Sequence, residues 1–316
     1  MTISLTSDQV ARGPRYGQLR QYFRTARERY NIYLRRTSVD RLTGKDEPPP
    51  WTKDPIFLKY KFCNVFREQD KVTVWLRENW REPYADHPNL PFAMALARLI
   101  NWPPTLEEIG FPKRWNPDKV LGVLHRRKDE GKKIYTGAYL LGSCPKGQER
   151  AIYLVHSVLS PLHQVVYAPL NSNSTLKSTW EWFRSQRGIG DFLAYEIVSD
   201  LRHTKYLRDA PDIMTWANAG PGALRGLTRL WGYQPKTRQI SGYAFPKKNA
   251  LEAMQTLLAK SQEQEARWGL HAPPWEMPSW EMREVEHHLC EFDKYERIRL
   301  GQGVLERFTP KAPGDW

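Results

Sequence analysis

The tightest constraint on this chain lies at residues 188–198, where Gly188-Ile189-Gly190 runs directly into Asp191-Phe192-Leu193-Ala194-Tyr195-Glu196-Ile197-Val198. Upstream, Trp180 and Phe183 offer an apolar face, and Ser174 or Thr175 can cap a helix carrying it. Two glycines one residue apart let the chain reverse between helices and expose backbone N–H groups where the second helix starts. Such amides, aided by the helix dipole, bind a phosphate. Ala194 lets the two helices approach closely, and Ile197 and Val198 anchor the second. The plain alternative is an αα-hairpin with a glycine C-cap and no ligand. The number of matched positions favours a phosphate-binding turn built on Arg187, Gly188 and Gly190.

Helical spacing recurs along the rest of the chain. Residues 18–36 place Leu19, Tyr22, Phe23, Ala26, Tyr30, Tyr33 and Leu34 on one face and a basic surface opposite. Three prolines at 48–50 stop that helix. Thr52 or Asp54 can cap the next, with Pro55 in its first turn, and it is expected from about 56 to 78 in one piece or two. Further helices are expected at 87–100, 116–129, 249–266 and 280–299, with Gly301 and Gly303 ending the last. Pro103-Pro104 separate a short capped turn at 105–108, and Pro161 interrupts the apolar run 152–162. Segment 132–141 reads as strand or loop, 219–222 as a Gly/Pro turn, and 271–277 as a Pro/Trp linker. The fold class is mostly α, with N- and C-terminal helical extensions around the hairpin. The expected divisions are a basic arm at 1–50, a helical domain at 51–170, the hairpin domain at 171–270, and a C-terminal helix at 271–316 packing back on the site.

Charge narrows the partners. Forty-eight Lys+Arg against 35 Asp+Glu give a net charge of +13, which points to a polyanion, nucleic acid first and an anionic membrane second. The membrane reading lacks a CaaX terminus and a glycine after Met1, and no apolar run approaches the roughly 20 residues of a span. Thirteen tryptophans suit base stacking, or simply core packing. Three cysteines without a CxxC pair argue for a reducing cytoplasm and against a disulfide framework or zinc ribbon.

Chemistry-bearing residues gather in three further places. If residues 60–75 are helical, Asn64, Arg67, Glu68 and Lys71 share a face opposite Phe62, Val65, Phe66 and Val72, with Asp70 nearby. An Asn/Arg/acid cluster can hydrogen-bond a pyrimidine edge and an anion together, or be an ordinary solvated face. In Trp216-Ala217-Asn218-Ala219-Gly220-Pro221-Gly222-Ala223-Leu224-Arg225, the glycines and Arg225 offer a phosphate or pyrophosphate cradle that is not a Walker loop. On 285–295, His287, Cys290, Glu291 and Lys294 share a helix face, and Glu286, His287 or Glu291 could do acid–base work. No matching His/Cys set for a metal is evident.

The hairpin resembles that of helix-hairpin-helix DNA glycosylases, in which an aspartate follows the second glycine at a distance matched by Asp209 and Asp212. Phe192 stands where bifunctional members carry a lysine nucleophile, which argues against a Schiff-base lyase. Pro50-Trp51-Thr52 with Asp54-Pro55, then Phe62-Cys63-Asn64-Val65-Phe66-Arg67-Glu68, the hairpin, Gly220-Pro221-Gly222-Ala223, and finally Glu286-His287 with Leu289-Cys290-Glu291-Phe292-Asp293-Lys294-Tyr295 together resemble a second family. This is the α-glutamyl/putrescinyl-thymine pyrophosphorylases, or amino acid:DNA transferases, which share a helical domain with some 5-hydroxymethyluracil DNA kinases. The resemblance spans about residues 48–300. It implies a glycosylase-like helical fold acting on phage double-stranded DNA, where an amino acid or polyamine displaces pyrophosphate from 5-(pyrophosphoryloxymethyl)uracil. It further implies a monomer in the host cytoplasm that needs no cofactor, with room for a divalent ion such as Mg2+ to assist departure of the leaving group.

On that reading Arg67 and Arg225, with the amides around Gly222, hold pyrophosphate, and Asn64 reads the uracil edge. Asp212 or Asp209 orients the amine or acts as base. Glu286, His287 and Glu291 complete the pocket with Glu68, Asp70 and Trp216, Lys294 neutralises developing charge, and Arg187, Gly188 and Gly190 bind the DNA backbone. A glycosylase acting on a modified pyrimidine and a non-catalytic DNA-binding module are the rivals.

Overall fold

A computed structural model describes residues 10–37, 49–136, 144–232, 245–263 and 277–302. The described residues are mostly helical, with no strand among them. In chain order the helices are α1 (Tyr16–Thr37), α2 (Pro55–Lys59), α3 (Lys71–Leu76), α4 (Leu90–Ile100), α5 (Pro103–Ile109), α6 (Pro117–Asp129), α7 (Arg150–Ile152), α8 (Ser160–Val165), α9 (Leu176–Ser185), α10 (Asp191–Leu201), α11 (Pro221–Leu230), α12 (Ala250–Glu263) and α13 (Met282–Arg299). The chain divides into two compact units, one from Met1–Gln69 with Met214–Pro313 and the other mainly Asp70–Ile213.

In the first unit α13 is the central helix. Its buried residues include Met282, Val285, Leu289, Phe292 and Tyr295, but also Glu284, Glu286, His287, His288, Glu291, Asp293 and Glu296. A helix buried on its polar sides as well as its apolar one must supply each charge with a partner, since an uncompensated buried charge costs several kcal/mol. Its N-terminus carries a capping box in which Glu281 and Glu284 serve each other's backbone N–H. Helix α1 lays Tyr22 and Phe23 against it, Tyr22 meeting Phe292 and Trp280 edge-on at centroid distances of 5.4 and 5.9 Å.

Helix α11 crosses α13 at unusually close range. A Cβ on Gly222 would stand 2.7 Å from Cys290 Sγ, and one on Gly226 would run into the Leu289 carbonyl. Glycine is required at 226 because the obstacle is backbone, which cannot swing aside. Alanine at an ordinary helix position is favoured over glycine by up to about 1 kcal/mol. Gly226→Ala should instead destabilise by about 1–3 kcal/mol, whereas Gly122→Ala in α6, where a Cβ meets nothing within 4 Å, should stabilise. Urea melts of the two variants check the contrast in sign.

Asp54 caps α2, accepting from the Ile56 and Phe57 amides while Pro55 fills the first turn. Tyr295 Oη donates to the other oxygen of Asp54 at 2.7 Å, tying this cap to α13. Beyond α2 the expected helix does not continue. Residues 61–66 form no regular structure, a single 3-10 turn follows at Arg67–Gln69, and α3 starts only at Lys71. The shared helix face proposed for Asn64, Arg67, Glu68 and Lys71 is therefore not formed. The backbone polar groups of this loop are taken up by side chains of α1 and α13 instead, which an i→i−4 ladder would forbid.

In the second unit α9 and α10 form a helical hairpin. Thr175 and Ser178 make a reciprocal cap at the start of α9, Gly188 takes φ +76°, and Gly190 is the N-cap residue of α10. Ala194, Ile197 and Val198 are buried, as are Trp180 and Phe183. The Trp180 indole donates to the Asp191 carbonyl at 2.9 Å, closing the turn. Within this unit Asp200 on α10 takes Arg98 of α4 in a two-pronged ion pair, with Nη2 at 2.6 Å. Pro103 and Pro104 open α5 rather than merely separating helices, and Asn101 in the left-handed region ends α4. Pro161 does not break the chain's helical course. A π-turn at Tyr153–Leu159 precedes it, with the Ser160 N–H reaching back to the Val155 carbonyl. Of segment 132–141, residues 132–136 form no strand and the remainder lies outside the described residues, as does the linker expected at 271–276.

Every described tryptophan is buried or half-buried. No helix among the described residues is long and apolar enough to cross a membrane.

Candidate functional site

Three separated segments meet along α13. Toward the 61–69 loop, Glu291 accepts from the Cys63 amide at 3.0 Å and from Lys294 Nζ at 2.6 Å. His287 Nε2 lies 3.1 Å from the Asn64 carbonyl. A carbonyl only accepts, so Nε2 carries the proton and Nδ1 is the ring's acceptor. Arg29 of α1 closes the loop from the far side, donating from Nε to the Cys63 carbonyl at 2.9 Å and from Nη2 to Asn64 Oδ1 at 2.6 Å. The Asn64 Nδ2 donates to the Gln69 carbonyl at 2.6 Å. Asn64, expected to read a pyrimidine edge, thus spends its amide on shaping the loop.

Toward α11, Glu286 receives the Gly220 N–H at 3.4 Å, and the Cys290 thiol points at the same carboxylate oxygen from 3.7 Å. The Gly220 amide of the expected cradle is consequently taken by the protein's own carboxylate. Gly222 itself serves the close packing against Cys290. Arg225, expected on pyrophosphate, pairs with Asp293 at 2.7 Å.

The electrostatics separate the candidates. Burial lifts the Glu286 carboxyl to about 7, although the Gly220 amide, Arg67 and the Cys290 thiol all favour the ionised form. Burial, with Arg67 next in importance, drops His287 to about 3, so its imidazole is neutral near pH 7. Burial likewise lowers His288 to about 4. Burial opposes ionisation of Glu291 as well, but Lys294, His287 and the Cys63 amide outweigh it and hold the group below its usual range. Burial and its carboxylate neighbours, Glu286 first, push the Cys290 thiol well up, away from thiolate chemistry. Of Glu286, His287 and Glu291, only Glu286 exchanges a proton near neutrality. Sequence reasoning could not rank the three, because their differences come from burial and partners on other segments.

The other expected residues are placed as follows. Glu68 faces Arg283 at 3.8 Å, Trp216 is buried in the first unit, and Lys294 is held on Glu291. In the second unit Asp70 precedes α3 as its N-cap residue without a side-chain cap bond. Asp209 is exposed beside Arg208, at 3.3 Å. Asp212, expected as an acid or base, caps α9, accepting from the Leu176 and Lys177 amides at 2.8 and 2.9 Å. Both of its oxygens serve the helix start, which is a stabilising role. Arg187 and Gly190 are exposed at the hairpin turn and Gly188 is half-buried.

A mostly helical chain with a buried, polar central helix and a glycine-turned hairpin defines the class of protein. The chain belongs to the family described as 5-hmdU DNA kinase, helical domain, which it matches over residues 17–304. The 5-hmdU DNA kinase of Bacillus phage SP10 is 28% identical to it over 243 residues, covering 69% of this chain and 37% of that protein. The chain thus spans little more than a third of that relative's length. No solved structure matches.

Proposed function

We propose that this chain modifies thymine-type bases in phage DNA by amine transfer, displacing pyrophosphate from 5-(pyrophosphoryloxymethyl)uracil and forming a C–N bond. One observation carries the reading: the buried Glu286 carboxyl, held by the Gly220 amide where the three motif segments meet on α13, is raised to about 7 by burial and feels the charge of Arg67. A relative named for 5-hmdU DNA agrees with such a substrate.

The chemistry asks little else of the site. Loss of the N3 proton, or addition at C6, drives electrons toward C5 and breaks the methylene–oxygen bond, pyrophosphate leaving with the bonding pair. The lone pair of a neutral amine then forms the new C–N bond at the exocyclic methylene. The electrons return to the ring, so that N3 takes back a proton or the C6 nucleophile is expelled, and the amine's extra proton passes to a carboxylate. Glu286 is matched to that last step, because a base works best with a pKa near the working pH. Arg67 favours its ionised form and stabilises negative charge developing nearby. His287, neutral and donating to the Asn64 carbonyl, holds the loop that carries Arg67.

In the same reading the hairpin turn at Arg187–Gly190 contacts DNA phosphates through the amides that begin α10. Arg187→Ala is expected to weaken duplex binding evenly across sequences and to reduce the salt dependence by about one phosphate contact, measured by anisotropy titration at several salt concentrations.

The test of transfer is to incubate the protein with DNA bearing the pyrophosphorylated base and candidate amines, digest to nucleosides and weigh them. A new aminomethyl nucleoside is the expected product. Release of free base would favour a glycosylase, and unchanged nucleosides with every amine would reject the proposal.

A further inference from the structure

The outward face of α1 carries charge that neither the transfer site nor the hairpin turn uses. The helix holds six arginines and one glutamate. Its apolar side, with Leu19, Tyr22, Phe23, Ala26 and Tyr30, is buried in the first unit. Arg29, on the same inward half, holds the 61–69 loop. Opposite that side, Arg20, Arg24, Arg27, Asn31 and Arg35 follow one another at spacings of four, three, four and four residues, which sets them in one stripe along the helix. The exposed Tyr16 opens it. From Arg20 to Arg35 the stripe is about 22 Å long. Two of its arginines are already engaged. Arg24 stands 3.7 Å from Asp54 and donates to Tyr295 Oη at 3.0 Å. Arg35 donates to the Trp51 carbonyl at 2.6 Å and lies 4.0 Å from Glu28. Arg20 and Arg27 are exposed and make no hydrogen bond or ion pair among the described residues.

Like charges three and four residues apart on a helix repel, so Arg24 between Arg20 and Arg27 works against α1 rather than for it. The helix's one glutamate, Glu28, is shared between Thr52 and Arg35, which leaves the stripe strongly positive. A straight row of cations fits a polyanion charged at regular intervals, and one strand of duplex DNA presents a phosphate about every 3.4 Å of its axis. Arginine forks, the Asn31 amide and the Tyr16 hydroxyl are all donors that phosphate oxygens accept. An anionic membrane fits less well, because a helix lying on a bilayer immerses its apolar side, and that side of α1 is buried in the protein. We propose that the outward stripe of α1, with Arg20 and Arg27 as its principal contacts, is a binding surface for the sugar–phosphate backbone of duplex DNA. It belongs to the unit that holds Glu286, whereas the hairpin turn belongs to the other. DNA as the polyanion rests on the proposed action at DNA bases, whereas the stripe's fit to a polyanion does not.

The test is anisotropy titration of the full chain with a labelled duplex at several salt concentrations. Arg20→Gln with Arg27→Gln should weaken binding at least about fivefold at low salt and lower the salt slope by about two phosphate contacts, with the melting temperature unchanged. Lys53→Gln with Lys248→Gln removes the same charge from exposed positions off the stripe and should weaken binding less than about twofold. Charge reversal, Arg20→Glu with Arg27→Glu, should weaken binding further than the arginine-to-glutamine pair. Duplex affinity and salt slope unchanged in the arginine-to-glutamine pair, or an equal loss in the lysine control, overturns the surface. So does wild-type binding to phosphatidylserine vesicles that this pair loses while keeping its duplex affinity. Loss of duplex affinity in the pair, with a wild type that transfers no amine, upholds the surface and removes the transfer reading. Amine transfer by a wild type whose duplex affinity the pair retains does the reverse.

Discussion

Glu286→Gln is expected to melt above the wild type in alkaline buffer and to have lost amine transfer. The native carboxyl titrates near 7 against an ordinary value of 4.5, with burial the leading cause. Between those values the folded protein binds more protons than the unfolded chain, so wild-type stability falls as pH rises through the window. The loss is complete above pH 7 and amounts to about 3 kcal/mol, the linkage value of a shift of this size. Glutamine resembles the protonated form and can still accept from the Gly220 amide, so it escapes that penalty. Thermal melts should therefore separate the two proteins at pH 8 and superimpose them below pH 4.5. A variant more stable than its parent cannot owe lost activity to misfolding. Removing a general base costs about 10²–10⁴-fold in rate, and that deficit should appear in the nucleoside assay. Equal transfer by both proteins would exclude Glu286 as the base.

Asp293→Ala should have the largest effect on stability. The carboxylate is the counter-ion of the 1%-exposed Arg229 and of two further arginines. Deleting one partner of a buried pair costs about 3–5 kcal/mol, because the remaining charge stays buried. Three guanidinium groups left facing one another make the upper part of that range the expectation, measured as a fall in denaturation midpoint at unchanged m-value. A variant within about 1 kcal/mol of wild type would mean that the three arginines find acceptors elsewhere and that Asp293 does not organise the cluster.

The helices that pack through an apolar stripe were readable in advance. Leu19, Tyr22, Phe23 and Ala26 mark α1, and Trp180, Phe183, Ile197 and Val198 mark the hairpin, because helical periodicity is a local signal. The 61–69 loop was not readable. Its spacing suits a helix, but Arg29, His287 and Glu291 bind its backbone groups from elsewhere in the chain, and tertiary partners override a weak local preference. Helix α13 was legible as a helix and its chemistry only as a set of candidates. Glu286 and Glu291 are a little over one turn apart on it, yet one is raised toward neutrality and the other lowered, by Lys294 and the Cys63 amide. Asp212 shows a related ambiguity: an aspartate beyond a hairpin serves equally well as the cap of the hairpin's first helix. Gly222 reads as part of a phosphate turn because glycine signals both amide exposure and close packing, and only the neighbouring Cys290 tells the two apart.

A carboxyl that changes protonation near neutrality, where the motif segments meet, is the centre of the proposed transfer. Its most direct test is the single-turnover rate of aminomethyl-nucleoside formation on pyrophosphorylated-base DNA, followed from pH 5 to 9 at a constant concentration of free amine. The rate should climb about tenfold per pH unit and level off above roughly 7, with that limb absent from whatever activity Glu286→Gln retains. A wild-type rate independent of pH across this range, or a rising limb that persists in Glu286→Gln, would contradict it.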